Sequence, residues 1–350
     1  MVRSRSYFAM PPGATIKEQL NDRGMNQKEF ASRMDMSEKH ISRLINGEVK
    51  LTPEVAVRLE LVLGIPASFW NNLEAIYREK LIKAKTENSM EKDIQLIKGF
   101  PYNEMAAYGW IPETKKVTEK VIHLRQYFEV VDLSILENKQ ITKIACRRLR
   151  ITEKSDLSLI AWAQRAKLVA RNMNTAPISI QGLLTSIPEI RKMANQKPEI
   201  FCPKLKKLLS GFGIALVFLP HLKGSFLQGA TFIDGNKIVV GLTARGKDAD
   251  KFWFSFFHEL AHIILGHIGQ SDGTSEQDEE DANNWSANTL IPEEDFKKFI
   301  SSNSFNKENI LRFSENIGIA PGIVVGRLQK ENLIKYNMMN ALKDHYVISA

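Results

Sequence analysis

The chain has 350 residues, enough for two or three domains, and its 43% hydrophobic content excludes a disordered chain. A formal charge of +8 and a pI of about 9.2 lean toward a polyanionic partner. Only two cysteines, Cys146 and Cys202, are present, which excludes a disulfide framework or a cysteine metal cluster and points to a reducing cytoplasm.

The N-terminus has no apolar run long enough for a signal peptide. No stretch approaches the roughly 18–20 apolar residues of a membrane helix, so no membrane partner is expected. The charge is uneven. Residues 139–210 carry 15 Lys+Arg against 4 Asp+Glu, whereas residues 268–300 carry 2 against 9. The basic segment is a candidate surface for a single-stranded nucleic-acid trigger or for DNA, weighed against a plain solvated face.

Residues 12–84 read as about five short helices. Ile16, Leu20, Phe30, Met34, Ile41, Leu44 and Ile45 recur at helical spacing. Asn26 is placed to cap a helix, with Glu29 completing a capping box. Ser37 caps the next helix, Gly47 stops it, and Thr52-Pro53 opens another. A polar linker is expected near "KAKTENSMEKD", and residues 85–140 read as a helical linker region. "SDLSLIAWAQRAKLVARNM" and "ISIQGLLTSIPEIRKMANQ" read as amphipathic helices.

From residue 211 the pattern changes. "GIALVFLP" and "GATFIDGNKIVVGLTA" are β-rich, and Asp234-Gly235 marks a hairpin. A three-stranded antiparallel or mixed sheet follows from them. Helices resume with "KDADKFWFSFFHELAHIILGH" and "SEQDEEDANNWSANTLIP". The expected fold is mainly α with a small β-sheet. Its expected parts are a five-helix domain over 1–84, the linker, a second domain over 141–300, and C-terminal helices over 301–350. Within the last, "NKENILRFSENIGIAPGIVVGRLQ" parallels the first helix pair as a degenerate helix-turn-helix, with small apolar residues where base-reading groups would sit.

The two helices around Gln27–Met34 and Ser37–Ile45 have the length and turn of a helix-turn-helix, in which the second enters the major groove. Packing Ile41, Leu44 and Ile45 inward leaves Glu38, Lys39, His40, Ser42 and Arg43 facing outward. Arg and Lys can meet guanine edges or phosphates. Ser37 and Gln27, at helix N-termini, suit phosphate contacts. The stretch "MNQKEFASRMDMSEKHISRLINGEVKLTPEVAVRLELVLGIPASFWNNLEAIY" resembles the Xre/HigA class of repressors and antitoxins. The resemblance implies a repressor-like domain that binds double-stranded operator DNA, as a homodimer on two-fold sites.

"HELAH" places His258 and His262 four apart on one helix face, able to reach one metal, with Glu259 beside it as a base for metal-bound water. With seven histidines in the chain, chance would give this pattern in on the order of one in a hundred such sequences. The surrounding Phe252, Phe254, Phe256, Phe257, Ile263, Ile264 and Leu265 mark a mostly buried helix, so two histidines and a carboxylate there need partners. A third ligand must come from Glu279, Glu280 or Asp281. Helical phase favours Glu279, which shares a face with Ala282, Asn283, Ser286 and Leu290. Asn283 is then a candidate to support the ligands from behind. His267, five past His262, is expected to face away and serve structure or support. His221, in a loop after a strand, could reach an oxyanion.

"FWFSFFHELAHIILGH" with "EEDANNWSANTLIP" resembles the ImmA/IrrE family of metallopeptidases. The resemblance implies a zincin-like domain binding Zn2+ through His258, His262 and Glu279, with Glu259 as catalytic base. It also implies a repressor- or antitoxin-like substrate in a phage, mobile-element, stress or defence setting. The competing reading is a transcriptional regulator whose peptidase-like domain is a sensor or scaffold.

Overall fold

The computed structural model describes residues 2–4, 7–88, 90–137, 153–225, 228–243, 248–268 and 274–348. Cys146, the basic residues of 139–150 and part of the acidic loop, 269–273, lie outside the described residues. Two compact units divide the chain, Met1–Ile94 and Gln95–Ala350. Among the described residues no helix is long and apolar enough to cross a membrane.

The first unit opens with a short antiparallel pair, β1 (Val2–Arg3) and β2 (Phe8–Ala9). Five helices follow: α1 (Gly13–Asp22), α2 (Gln27–Arg33), α3 (Glu38–Ile45), α4 (Pro53–Leu63) and α5 (Ala67–Asn88). The residues of helical period make its core, with Ile16, Phe30, Met34, Ile41, Leu59 and Trp70 fully buried. The caps form where the sequence places them. Asn26 accepts from the Glu29 amide at 2.8 Å, Ser37 from His40 at 3.2 Å and Thr52 from Val55 at 3.4 Å. The Glu29 carboxylate bonds Arg33 at 2.7 Å, one turn on, in place of the reciprocal arm of a capping box. Residues Lys83–Asn88, expected as linker, extend α5 instead. Lysine, alanine and glutamate there are good helix formers, and polarity alone does not stop a helix.

The second unit begins with α6 (Glu91–Leu96), which straddles the division, then α7 (Tyr102–Ala107) and α8 (Val117–Phe128). Next come α9 (Glu153–Arg171), α10 (Ile180–Lys192) and α11 (Pro198–Ser210). Residues 95–137 pack into this unit. Tyr127 donates to the Ala161 carbonyl at 2.7 Å, and Tyr108 to that of His221 at 3.1 Å.

The sheet is β3 (Ile214–Phe218), β4 (Gly229–Asp234) and β5 (Lys237–Leu242), in the order β3-β5-β4. It is mixed: β5 runs parallel to β3 and antiparallel to β4. Asp234 pairs with Lys237, so the two-residue turn is Gly235-Asn236, one position later than Asp-Gly suggests, with Gly235 at φ 62°. Alternation on β5 sends Ile238, Val240 and Leu242 into the core around α12 (Ala249–Ile264). Gly241 faces the other way, against Trp162 of α9.

Helix α12 is the centre of the unit. It packs on β4, β5, α10, α13 (Glu276–Leu290) and α16 (Pro321–Lys330). Helices α14 (Glu293–Ser301) and α15 (Lys307–Ile317) complete the set. Its aromatic residues, Trp253, Phe256 and Phe257, are fully buried. Residues from 301 to 348 contribute to this core, through Ile310, Ile319, Ile334 and Tyr346 among others. Ile323, Val324, Val325 and Leu328 of α16 are buried, so the helix that parallels α3 in sequence is a packing helix here. The segment after it crosses the start of α12, with Lys343 bonding Asp250 at 2.9 Å and Tyr346 accepting from Trp253 at 3.1 Å.

Candidate metal centre and DNA-contacting helix

The four-residue spacing on α12 brings the Nε2 atoms of His258 and His262 to 3.0 Å. Helix α13 lies alongside and delivers Glu279 from its first turn. Its Oε2 lies 3.3 Å from His258 Nε2 and its Oε1 3.5 Å from His262 Nε2. One ligand atom from each of the three falls within 4.8 Å of the others. Both histidines are buried, and Glu279 is largely covered. Ala282, Ser286 and Leu290 are buried on the face Glu279 shares, while Glu280 and Asp281 are exposed. Phase alone therefore separates the three acidic neighbours.

The donor set suits a metal cation. Burial, then the neighbouring His258, pulls His262 down to about 4, so its imidazole is neutral near pH 7 with a lone pair to offer. Burial works to raise the Glu279 carboxyl. Hydrogen bonds from His258 and Thr274 outweigh it and hold the group below the usual carboxylate range. Two histidines and one carboxylate are the ligand set of a catalytic zinc site that keeps a fourth position open.

Glu259 points to the sheet side of α12. Its Oε2 accepts from Thr231 Oγ1 of β4 at 2.5 Å, and both residues are buried. A Cβ at Gly229, two residues earlier on the strand, would sit 2.6 Å from Glu259 Oε1. Glycine is thus the residue that lets the strand approach this carboxylate. Neither Thr231 nor Gly229 is legible as a site residue in sequence. Their role depends on which strand face meets α12.

His267 does not face away from the histidine pair. Its Nδ1 lies 3.1 Å from His262 Nδ1, and its Nε2 lies 3.5 Å from Asp278 Oδ1. The helix has ended before it. Gly266 takes φ 76°, its amide bonds the Ile263 carbonyl at 3.3 Å, and the His267 amide bonds that of His262 at 2.9 Å. This is a Schellman turn, which folds the second residue past the cap onto the last turn. The Gly at the end of "HIILG" is the signal that could have found it.

Asn283 is half-buried with its Oδ1 lacking a hydrogen-bond partner, and no described bond joins it to a ligand. The His221 ring lies 3.5 Å from Ser225 Oγ, with no described bond to the centre. Trp253 is core, and Trp285 packs on Phe257.

In the first unit, Gln27, Ser37, Glu38, Lys39 and Arg43 are exposed, and His40 and Ser42 are half-buried. All but Gln27 lie on α3 or its cap, and Ile41 and Leu44 anchor the opposite side.

Comparison with known proteins agrees with both parts. A helix-turn-helix family model matches residues 16–70. The chain is 38% identical over 63 residues to the uncharacterized HTH-type transcriptional regulator YddM of Escherichia coli, covering 18% of this chain and 67% of that protein. It is 37% identical over 68 residues to virulence-associated protein A of Dichelobacter nodosus, covering 19% of this chain and 67% of that protein. A model of the IrrE N-terminal-like domain matches residues 212–328. This chain is a helix-turn-helix family member with an IrrE-like domain. The IrrE-like domain runs from β3 to α16 and contains His258, Glu259, His262 and Glu279. The model that matches it is that of a metallopeptidase-like family.

Proposed function

We propose that this chain is a DNA-binding zinc metallopeptidase that cuts a repressor- or antitoxin-like protein and so controls transcription. The convergence of His258, His262 and Glu279, with Glu259 beside them, carries this reading. A regulator that used the domain only as a scaffold would have no need of buried, mutually close ligands. His258, His262 and Glu279 would hold the ion. Zinc, when bound, supplies Lewis acidity that polarises a peptide carbonyl and acidifies water.

Glu259 takes the proton from the attacking water and returns one to the leaving amine. Thr231 fixes the Glu259 carboxylate by its hydroxyl, and Gly229 leaves room for it. The outward residues of α3 would hold the chain on double-stranded operator DNA, raising the local concentration of peptidase near a DNA-bound substrate. Phage, mobile-element, stress and defence systems are the setting in which such a repressor or antitoxin would be cut.

The test pairs the wild type with Glu259→Gln. Both are loaded with zinc and incubated with candidate helix-turn-helix repressors, with and without DNA. Cleavage by the wild type and its loss in the variant, at equal zinc content, is the expected result. DNA binding by a chain that takes up no zinc would overturn the peptidase and leave the regulator.

A further inference from the structure

Outside the three ligands, one polar group in the second unit has an arrangement that a structural role does not require. His267 is buried between His262 and Asp278, and its two ring nitrogens face one of them each. The two imidazoles can order their protons in two ways. Either His262 Nδ1–H donates to His267 Nδ1, or His267 Nδ1–H donates to His262 Nδ1. The second order puts the proton of neutral His262 on Nε2, the atom that faces His258 and Glu279. A metal could not bind there.

Two carboxylates bear on the choice. Asp278 Oδ1 only accepts and, 3.5 Å from His267 Nε2, favours hydrogen on that nitrogen, whereas Glu279 Oε1, at the same 3.5 Å from His262 Nε2, already takes the Thr274 hydroxyl at 2.7 Å. A neutral His267 with Nε2–H has a bare Nδ1, which accepts from His262 Nδ1–H. The lone pair of His262 is then left on Nε2, pointing at the other two ligands. Asp278 is itself fixed: its Oδ2 accepts from the Ser275 amide and hydroxyl, both at 2.8 Å, in the capping box of α13. Asp278 and Glu279 are consecutive in that first turn. One cap therefore sets both the carboxylate ligand and the group that orients a histidine ligand.

We propose that His267 and Asp278 are positioning residues which, through an Asp278–His267–His262 hydrogen-bond chain, fix His262 in the tautomer that presents Nε2 to the metal. This rests on the metal centre proposed above. Partners of this kind behind a metal-bound histidine are typically worth ten- to a hundred-fold in affinity.

The test uses the full chain and two readouts. The first is the His262 tautomer in zinc-free protein, read from 15N shifts of the ring. The second is zinc affinity by chelator competition. The wild type is expected to hold His262 protonated on Nδ1. In His267→Ala the proton should redistribute toward Nε2, and zinc affinity should fall roughly ten- to a hundred-fold.

His267→Gln offers an amide oxygen to His262 and an NH2 to Asp278, and should recover most of the affinity. Asp278→Asn can keep its oxygen on Ser275 while turning its NH2 toward His267. That reverses the proton order and should weaken zinc although the cap survives. Ser275→Ala removes one of the two bonds that fix Asp278 and keeps the amide one, so the tautomer and the zinc affinity should shift less than in His267→Ala. A His262 that stays protonated on Nδ1 in His267→Ala, with unchanged zinc affinity, would overturn the proposal. Absence of zinc binding in the wild type would instead defeat the metal-centre reading, and the tautomer measurement would still decide the hydrogen-bond chain.

Discussion

At the scale of single residues, the proposed centre would divide its work between groups that hold an ion and one that moves a proton. Glu259→Gln should keep zinc and lose turnover by about 10²–10⁴-fold, read as kcat at matched metal content. Gly229→Ala tests the same carboxylate from the strand side. The new methyl would meet Glu259 Oε1 at 2.6 Å, so the side chain or β4 must shift. Activity should fall while zinc affinity, set by other residues, stays near wild type. Glu279→Ala should weaken zinc strongly, whereas Glu280→Ala, on the exposed face, should leave it alone. His258, Glu259 and His262 were legible because their spacing is a local property of one helix. Glu279 needed helical phase across a second helix. Thr231 and Gly229 were not legible, because a strand residue reveals its partner only after the sheet packs.

At the scale of elements, the end of α12 matters as much as its middle. A helix ending at Leu265 with Gly266 in the left-handed region returns His267 to His262. Treating 252–267 as one continuous helix sends His267 the wrong way, which is why spacing alone misplaced it. Gly266→Ala puts a side chain at φ 76°, where a Cβ costs roughly 1–2 kcal/mol. Thermal unfolding should show that loss, and zinc should bind less tightly.

The metal-free protein should also show a pH signature of α12. His262 has a folded value of about 4 against 6.5 for an ordinary histidine, chiefly from burial and then from His258. The unfolded chain therefore takes up the proton first as pH falls. Stability from this group is complete above about 6.5 and is lost as pH drops toward about 4. Urea midpoints of metal-free protein should fall across that window, with a smaller slope in His262→Ala. Elsewhere the elements were largely readable, because caps such as Asn26, Ser37 and Thr52 act within one turn. The continuation of α5 through Asn88 was missed because polar residues suit both a linker and an exposed helix face.

At the scale of the whole molecule, the capped helix α3 and the three candidate ligands lie in units with separate cores. The buried set around Ile16, Phe30 and Trp70 owes nothing to the metal helix, and α3 is capped and anchored within the first unit. Substitutions on α3 should therefore spare the metal centre. Arg43→Ala should weaken operator binding and, if the side chain meets phosphate, lower the salt slope by about one. Zinc content should not change. The repeat of the helix-turn-helix pattern near the C-terminus does not extend this logic. Its second helix buries Ile323, Val324 and Val325 against the core, where no base could be read. Sequence likeness located that pair, its small apolar residues already pointed away from base reading, and packing buries them.

We propose one zinc site, made by three residues from two helices of the IrrE-like domain. It is tested most directly by zinc stoichiometry at equilibrium for the wild type, Glu259→Gln and His258→Ala. One tightly held zinc per chain in the first two and its loss in the third is the predicted result. A wild type that binds no zinc, or a His258→Ala variant that binds it equally well, would contradict the account.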